Sequence, residues 1–379
     1  MLDFNLIREA IVSLFLYLLK IYHMKLINFL LIALIFCSSC KKDKEETTSF
    51  PKKYGAGIYI ATNNGVSFYK NGVVEDNIFQ NVNGISLNNV NKINFQGTKA
   101  YIATENSLFS ANVKTFESKG EVGGFMNLVD FDFVSMNRIF TVDKDDAKVK
   151  VIDIDRMEIT SDVEVGDNTK PIFIISKSYR SFIMNGGAVL DSLKDSTVVA
   201  IDYRDELVPF ANMIGSLNIG VNPNSAVFNN GLNILCKGIF DTNSVVNVKT
   251  EATLVTIDPF QMYIIGSESL SGIFNAKNLI LDNDNICYFT AENGIYSMSS
   301  SGTGVASILN TVSDILCYQD ESYSVYNPAD STTTYLNRDV LYINDSHNSK
   351  NTIYKYDLDI GLYIDTIVVD GNVRDIAFY

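Results

Sequence analysis

The chain of 379 residues carries 44 Asp and Glu against 30 Lys and Arg, a formal net charge of -14, so it lacks the cation excess with which a nucleic-acid groove displaces counterions from phosphates. Hydrophobic residues make up 46%, with 23 Gly and 20 Tyr, which excludes an acidic disordered chain and indicates a folded core. The length suits one large all-β unit as well as two smaller domains.

From Val12 to Cys37 the chain is almost continuously apolar, broken by Lys20, His23, Lys25 and a few polar residues. Starting at Met24, MKLINFLLIALIFCSSCKKDKEE sets Lys25 before an apolar run from Leu26 to Phe36, then small residues before a cysteine. This stretch resembles a bacterial lipoprotein signal. The resemblance implies that Cys40 is lipidated as the mature N-terminus and that residues 1–23 are an upstream start-site artefact. The following KKDKEE resembles the surface-export tether of Bacteroidota-type lipoproteins, implying an outer-membrane, lipid-anchored location at the cell surface; a plain charged linker has the same composition. A transmembrane anchor is the alternative, one that Lys20 and Lys25 would split. The expected organisation is a targeting segment at 1–39, a lipidated cysteine and linker at 40–54, and a folded region at 55–379.

That region repeats. YIATNNGVSFYKN at Tyr59 and YIATENSLFSANV at Tyr101 share a rhythm 42 residues apart, and YFTAENGIYSMSS at Tyr288 repeats it. Each reads as two short strands around a tight polar turn. A second marker is an alternating β-branched strand ending in aspartate: VKVIDID at Asp153, VVAIDYRD at Asp202, TLVTIDPF at Asp258 and IYKYDLD at Asp357. An Asp at such a turn accepts hydrogen bonds from nearby backbone amides, which gives these residues a structural role.

Together the markers define units of four strands, A (inner) to D. The B and C strands are expected at 57–62 and 65–70, 99–104 and 106–112, 137–142 and 148–153, 180–184 and 197–202, 232–236 and 252–257, 286–291 and 294–299, and 340–345 and 352–357. The pattern predicts an all-β, seven-bladed β-propeller of four-stranded blades. The first unit has no A strand before Tyr59, whereas VRDIAFY at Val373–Tyr379 follows the seventh D strand, where an eighth A strand would stand. The expected closure is the C-terminal strand pairing into blade 1.

The per-blade pattern, clearest in GVNPNSAVFNNGLNILCKG from Gly220 to Gly238, resembles the YVTN-type propellers of bacterial surface proteins. Relatives of that type include surface lipoproteins that capture cobalamin and pass it to a TonB-dependent outer-membrane transporter. The resemblance thus implies a corrinoid-like nutrient and such a transporter as partners, without a motif that maps ligand contacts onto this chain.

Catalytic chemistry finds little support. His347, in NDSHNSKN, is the single His after the targeting segment, which disfavours a His-dependent triad or multi-His metal centre. No Trp is present, unlike the quinone-dependent propeller dehydrogenases, and no Gly-rich phosphate loop opens a helix. Asp143, Asp145 and Asp146, and likewise Asp282 and Asp284, lack the Gly and distal Glu of a helical calcium loop and read as hairpin turns. Cys236, Cys287 and Cys317 are expected as buried free thiols. No cofactor or metal is expected.

The B–C connections of blades 4, 5 and 7, NGGAVLDSLKDS, KGIFDTNSVVNVKTEA and NDSHNSKN, are long, as functional or merely inserted loops are. With GDNTK and VNPN they would gather Lys170, Asn222, Asn224, Lys237, Phe240 and His347 on one rim as candidate ligand contacts. The expected function is noncatalytic capture of a ligand or partner on that face. An adhesive protein recognising a protein or polymer is the alternative, and a metal-assisted hydrolase or lyase the least favoured.

Overall fold

Alternating Val, Ile and Tyr in short runs bounded by Asn, Asp and Gly turns favours strands, and strands dominate. The computed structural model describes residues 53–379 together with Ser13, apart from 167–168, 188–194, 205–209, 241–248, 312, 328–330 and 346–348. Seven four-stranded antiparallel sheets form the blades of a β-propeller, each ordered A to D from the axis outwards.

Blade 1 takes its A strand from Val373–Phe378 and its B, C and D strands from Ile58–Thr62, Gly65–Lys70 and Val73–Glu75. In the same order, blade 2 uses Val90–Gln96, Lys99–Thr104, Ser107–Asn112 and Ser118–Gly123. Leu128–Ser135, Arg138–Asp143, Lys148–Asp153 and Glu158–Glu164 form blade 3. Blade 4 comprises Pro171–Lys177, Arg180–Asn185, Thr197–Asp202 and Asn212–Asn218. Pro223–Phe228, Leu232–Cys236, Thr253–Asp258 and Tyr263–Ser269 make blade 5. Blade 6 runs through Lys277–Leu281, Ile286–Ala291, Gly294–Ser299 and Ala306–Leu309. Asp314–Asn327, Thr332–Asp345, Ser349–Asp357 and Leu362–Val368 complete blade 7.

The closure follows the sequence expectation. Ile58 pairs with Phe378, Ile60 with Ile376 and Ala61 with Asp375, and Gly57 and Tyr379 exchange backbone hydrogen bonds at 3.1 and 3.2 Å. The C-terminal strand therefore supplies the edge that blade 1 otherwise lacks.

The apolar core is divided among the gaps between blades. Tyr59, Phe68, Phe79, Ile93 and Phe116 fill the gap between blades 1 and 2, and Phe182, Met184, Leu232 and Val255 that between blades 4 and 5. Ile60, Val340, Tyr342 and Ile376 seal the closing gap between blades 7 and 1. Since a strand turns alternate residues to opposite faces, Tyr59 serves one gap and Ile60 the other. This explains why the B strand Ile58–Thr62 is buried at every position, whereas the outer D strand Tyr263–Ser269 is exposed throughout.

The four aspartates at the ends of C strands act as expected. Asp153 accepts from the N–H groups of Asp155 and Arg156, Asp202 from Arg204, Asp258 from Phe260 and Gln261, and Asp357 from Asp359 and Ile360, all within 3.1 Å. Cys236 and Cys287 are buried free thiols; Cys317, also free, is only half-buried.

Two features differ from the sequence reading. A short helix, α1 at Ile78–Asn83, follows the abbreviated D strand of blade 1 and buries Ile78 and Phe79. In blade 7, NDSHNSKN is not a long loop: the B strand runs to Asp345, which pairs with Ser349 at the start of the C strand. The extra length lies in the A–B hairpin, where Asp314–Asn327 pairs with Thr332–Asp345. Polar and charged residues interrupt the apolar pattern along that hairpin, with Asp320 and Glu321 opposite Asp339 and Arg338, so its strand pattern was hidden beside the stronger Val340–Asp345 run.

Candidate ligand-binding funnel

Each A strand starts at the axis after a D–A connection, so the first residues of all seven A strands converge. They line a funnel of about 600 Å³ on the face that also carries the B–C connections. The position is marked by a weak repeat: KINF at Lys92, DFDF at Asp130, SAVF at Ser225 and DIAF at Asp375. In three of these the leading side chain reaches the neighbouring blade's backbone. Asp375 Oδ2 accepts from Ile93 N at 3.0 Å, Asp130 Oδ2 from Ile174 N at 2.9 Å, and Ser225 Oγ from Leu279 N at 3.0 Å.

The fourth, Lys92, donates to Asp130 Oδ1 at 2.6 Å. Burial works to lower the Lys92 ammonium, but Asp130, Asp375 and Asp132 outweigh it and raise its pKa above the ordinary lysine value. Burial pushes Asp375 up to about 6 against the opposing pull of Lys92, and raises Asp132 in the same way. Elsewhere on the wall, Lys277 pairs with Asp314 at 2.7 Å. Arg374 is exposed and is held by Asn91 Oδ1 at 2.5 Å and Asn89 Oδ1 at 3.0 Å.

Of the sequence candidates, Asn224 lines the funnel. Its amide donates to Ala276 O at 2.7 Å. Asn222 and Lys237 are joined to it through backbone, since Lys237 N donates to Asn222 O at 2.9 Å and Ala276 N to Lys237 O at 3.3 Å. These three form one rim segment between blades 5 and 6. Burial, followed by the Lys277 charge, lowers the Lys237 pKa, while the buried Asn222 Oδ1 has no donor among the described residues.

Lys170 stands apart, paired with Asp145 at 3.0 Å. That aspartate, like Asp143 and Asp146, which both pair with Lys150, is neutralised by a lysine. Asp282 accepts from the N–H groups of Asp284 and Ile286, as a turn residue does. Phe240 belongs to a small hairpin in which Ile239–Phe240 pairs with Lys249–Thr250, and its side chain lies outside the described residues. His347 and Cys40 also lie outside them. The sequence reading missed Lys92, Asp130, Lys277, Arg374 and Asp375; aligning the A strands on KINF, DFDF and DIAF would have found three of them.

No known family model matches the sequence, and no curated protein sequence matches it. Solved structures do resemble the fold. A quinoprotein alcohol dehydrogenase-like protein from Bacteroides thetaiotaomicron matches with a TM-score of 0.58 at 13% identity, covering 86% of this chain and 79% of its own. Hydrazine synthase from Kuenenia stuttgartiensis gives 0.56 at 15% identity, covering 81% and 92%. A putative 6-phosphogluconolactonase from Bacteroides fragilis gives 0.55 at 9% identity, covering 88% and 99%. At such identities the likeness shows the fold alone, and it agrees with a seven-bladed β-propeller, a scaffold used for binding and for catalysis alike.

Proposed function

We propose that this chain is a noncatalytic binding protein that takes its ligand in the axial funnel and is held on the outer membrane by lipid at Cys40. Arg374 is the observation that carries this reading: two asparagines hold an exposed guanidinium at the funnel, leaving its charge available for oxygen atoms of a ligand. Lys92 and Lys277, by contrast, are each paired with an aspartate. The sharpest version is a cofactor-like nutrient such as cobalamin, delivered to a TonB-dependent transporter. Isothermal titration of the full-length protein in detergent against cobalamin tests it. Heat of binding that Arg374→Ala weakens supports the reading; no heat and no shift in melting temperature overturn the corrinoid version. Radiolabelled palmitate incorporation that Cys40→Ala abolishes would support the anchor.

The second reading, recognition of a protein or polymer, draws on the blade 7 hairpin. There Tyr326 and Tyr335 are 60% and 78% exposed, beside Val325 and Leu336. Exposed tyrosines on a paired ribbon suit adhesion. Hairpin deletion that abolishes surface adhesion while leaving ligand heats intact would favour it.

A further inference from the structure

A second cavity, of about 220 Å³, opens on the opposite face between blades 4 and 5, among the A–B turns of both and the C–D turn of blade 5. Its apolar wall contains Phe182, Phe228 and Phe260. Phe182 and Phe228 meet edge to face at 6.0 Å, while Phe260 is 61% exposed.

The polar lining is cationic. Lys177 Nζ lies 5.1 Å from the centre of the Phe228 ring. Arg180 lies 5.5 Å over Phe260 and donates through one nitrogen to Pro259 O at 2.8 Å and Phe260 O at 2.5 Å, fixing the blade 5 turn against blade 4. Among the described residues no Asp or Glu lines the cavity, in a chain of net charge -14. Asn229 also lines it, and its buried Nδ2 has no acceptor among the described residues. Against the opposing effect of burial, Arg204 and then Arg180 hold the Asp202 carboxyl below its ordinary range, so Arg180 already serves a carboxylate. The exposed Lys177 ammonium and the unpaired Asn229 amide are the donors left for an acceptor, and a buried unpaired donor is costly until one arrives.

We propose that this cavity binds a small carboxylate with a flat apolar body. The carboxylate accepts hydrogen bonds from Lys177 and the Asn229 amide, and the flat body packs against the phenylalanine wall. The volume falls below the roughly 300–1,000 Å³ of pockets for drug-sized ligands, which limits the body to about one ring. This site is separate from the funnel and stands or falls independently of the function proposed there.

The test is titration of the full-length protein with benzoate, with benzyl alcohol as the uncharged counterpart. Expected are one benzoate per chain, binding of benzyl alcohol about tenfold weaker, and a similar loss in Lys177→Met. Phe260→Ala should weaken benzoate several-fold, while Arg374→Ala at the funnel leaves it unchanged. Both blade 4–5 side chains are exposed, so wild-type melting temperatures are expected. Absence of binding at millimolar benzoate, equal affinity for benzyl alcohol, unchanged affinity in Lys177→Met and Phe260→Ala, or loss in Arg374→Ala would each overturn the proposal.

Discussion

Asp375, in the strand that closes the ring, accepts a hydrogen bond from the backbone N–H of Ile93, 3.0 Å away in the next blade. One carboxylate thus ties the C-terminal strand to blade 2 while the strand's own backbone pairs with Ile58–Thr62. Burial raises this carboxyl to about 6, above the roughly 3.9 of an unfolded Asp. The folded state therefore binds the proton more tightly. Its stabilising contribution is full below about pH 4 and is lost as pH rises through about 6, a change on the order of 2–3 kcal/mol. Asp375→Asn keeps an oxygen acceptor but cannot ionise. Urea unfolding should show stability falling less between pH 4.5 and 7 in the variant than in wild type; equal slopes would refute the assignment.

Removing Val373–Tyr379 should leave blade 1 without its inner strand and uncover the gap sealed by Ile376, Ile60 and Tyr342. The expected result is loss of the cooperative thermal transition, followed by circular dichroism. Ile376, 6% exposed, gives the milder version: Ile376→Ala should cost about 2–4 kcal/mol.

Gly186 marks a close approach between blade 4 and the start of the A strand of blade 5. A Cβ there would stand 1.8 Å from Pro223 O, whereas one on Gly266 would meet nothing within 4 Å. Gly186→Ala should therefore destabilise by at least about 2 kcal/mol. Gly266→Ala, on an exposed outer strand, should be neutral or slightly stabilising. Parallel melting curves distinguish the two, and similar behaviour would contradict the packing at Pro223.

The aspartates at C-strand ends should behave as turn residues. Asp258 accepts two backbone N–H bonds at 2.8 Å, and Asp258→Ala should cost about 1 kcal/mol without altering ligand heats. A large loss of binding with unchanged stability would give Asp258 a functional role instead.

Sequence periodicity was strongest where burial is two-sided. The B and C strands lie mid-blade, packed against both neighbouring blades, so they read as near-continuous apolar runs; the predicted 232–236 matches the observed Leu232–Cys236. The aspartates of Asp153 and Asp258 could be read because a turn acts locally, within three residues. Closure by Val373–Phe378 was also legible, since a missing first A strand and a surplus last one have one economical solution.

The funnel belongs to tertiary structure. Arg374 and Asn91 are 283 residues apart, and Lys92 meets Asp130 across a blade boundary; only the closed ring sets such residues around one axis. A strands turn one side to that axis, so their polar residues interrupt the apolar pattern that made the B strands visible. Local chemistry in the sequence therefore determined the blades and their number, whereas ring closure decided which charges meet and where two cavities open.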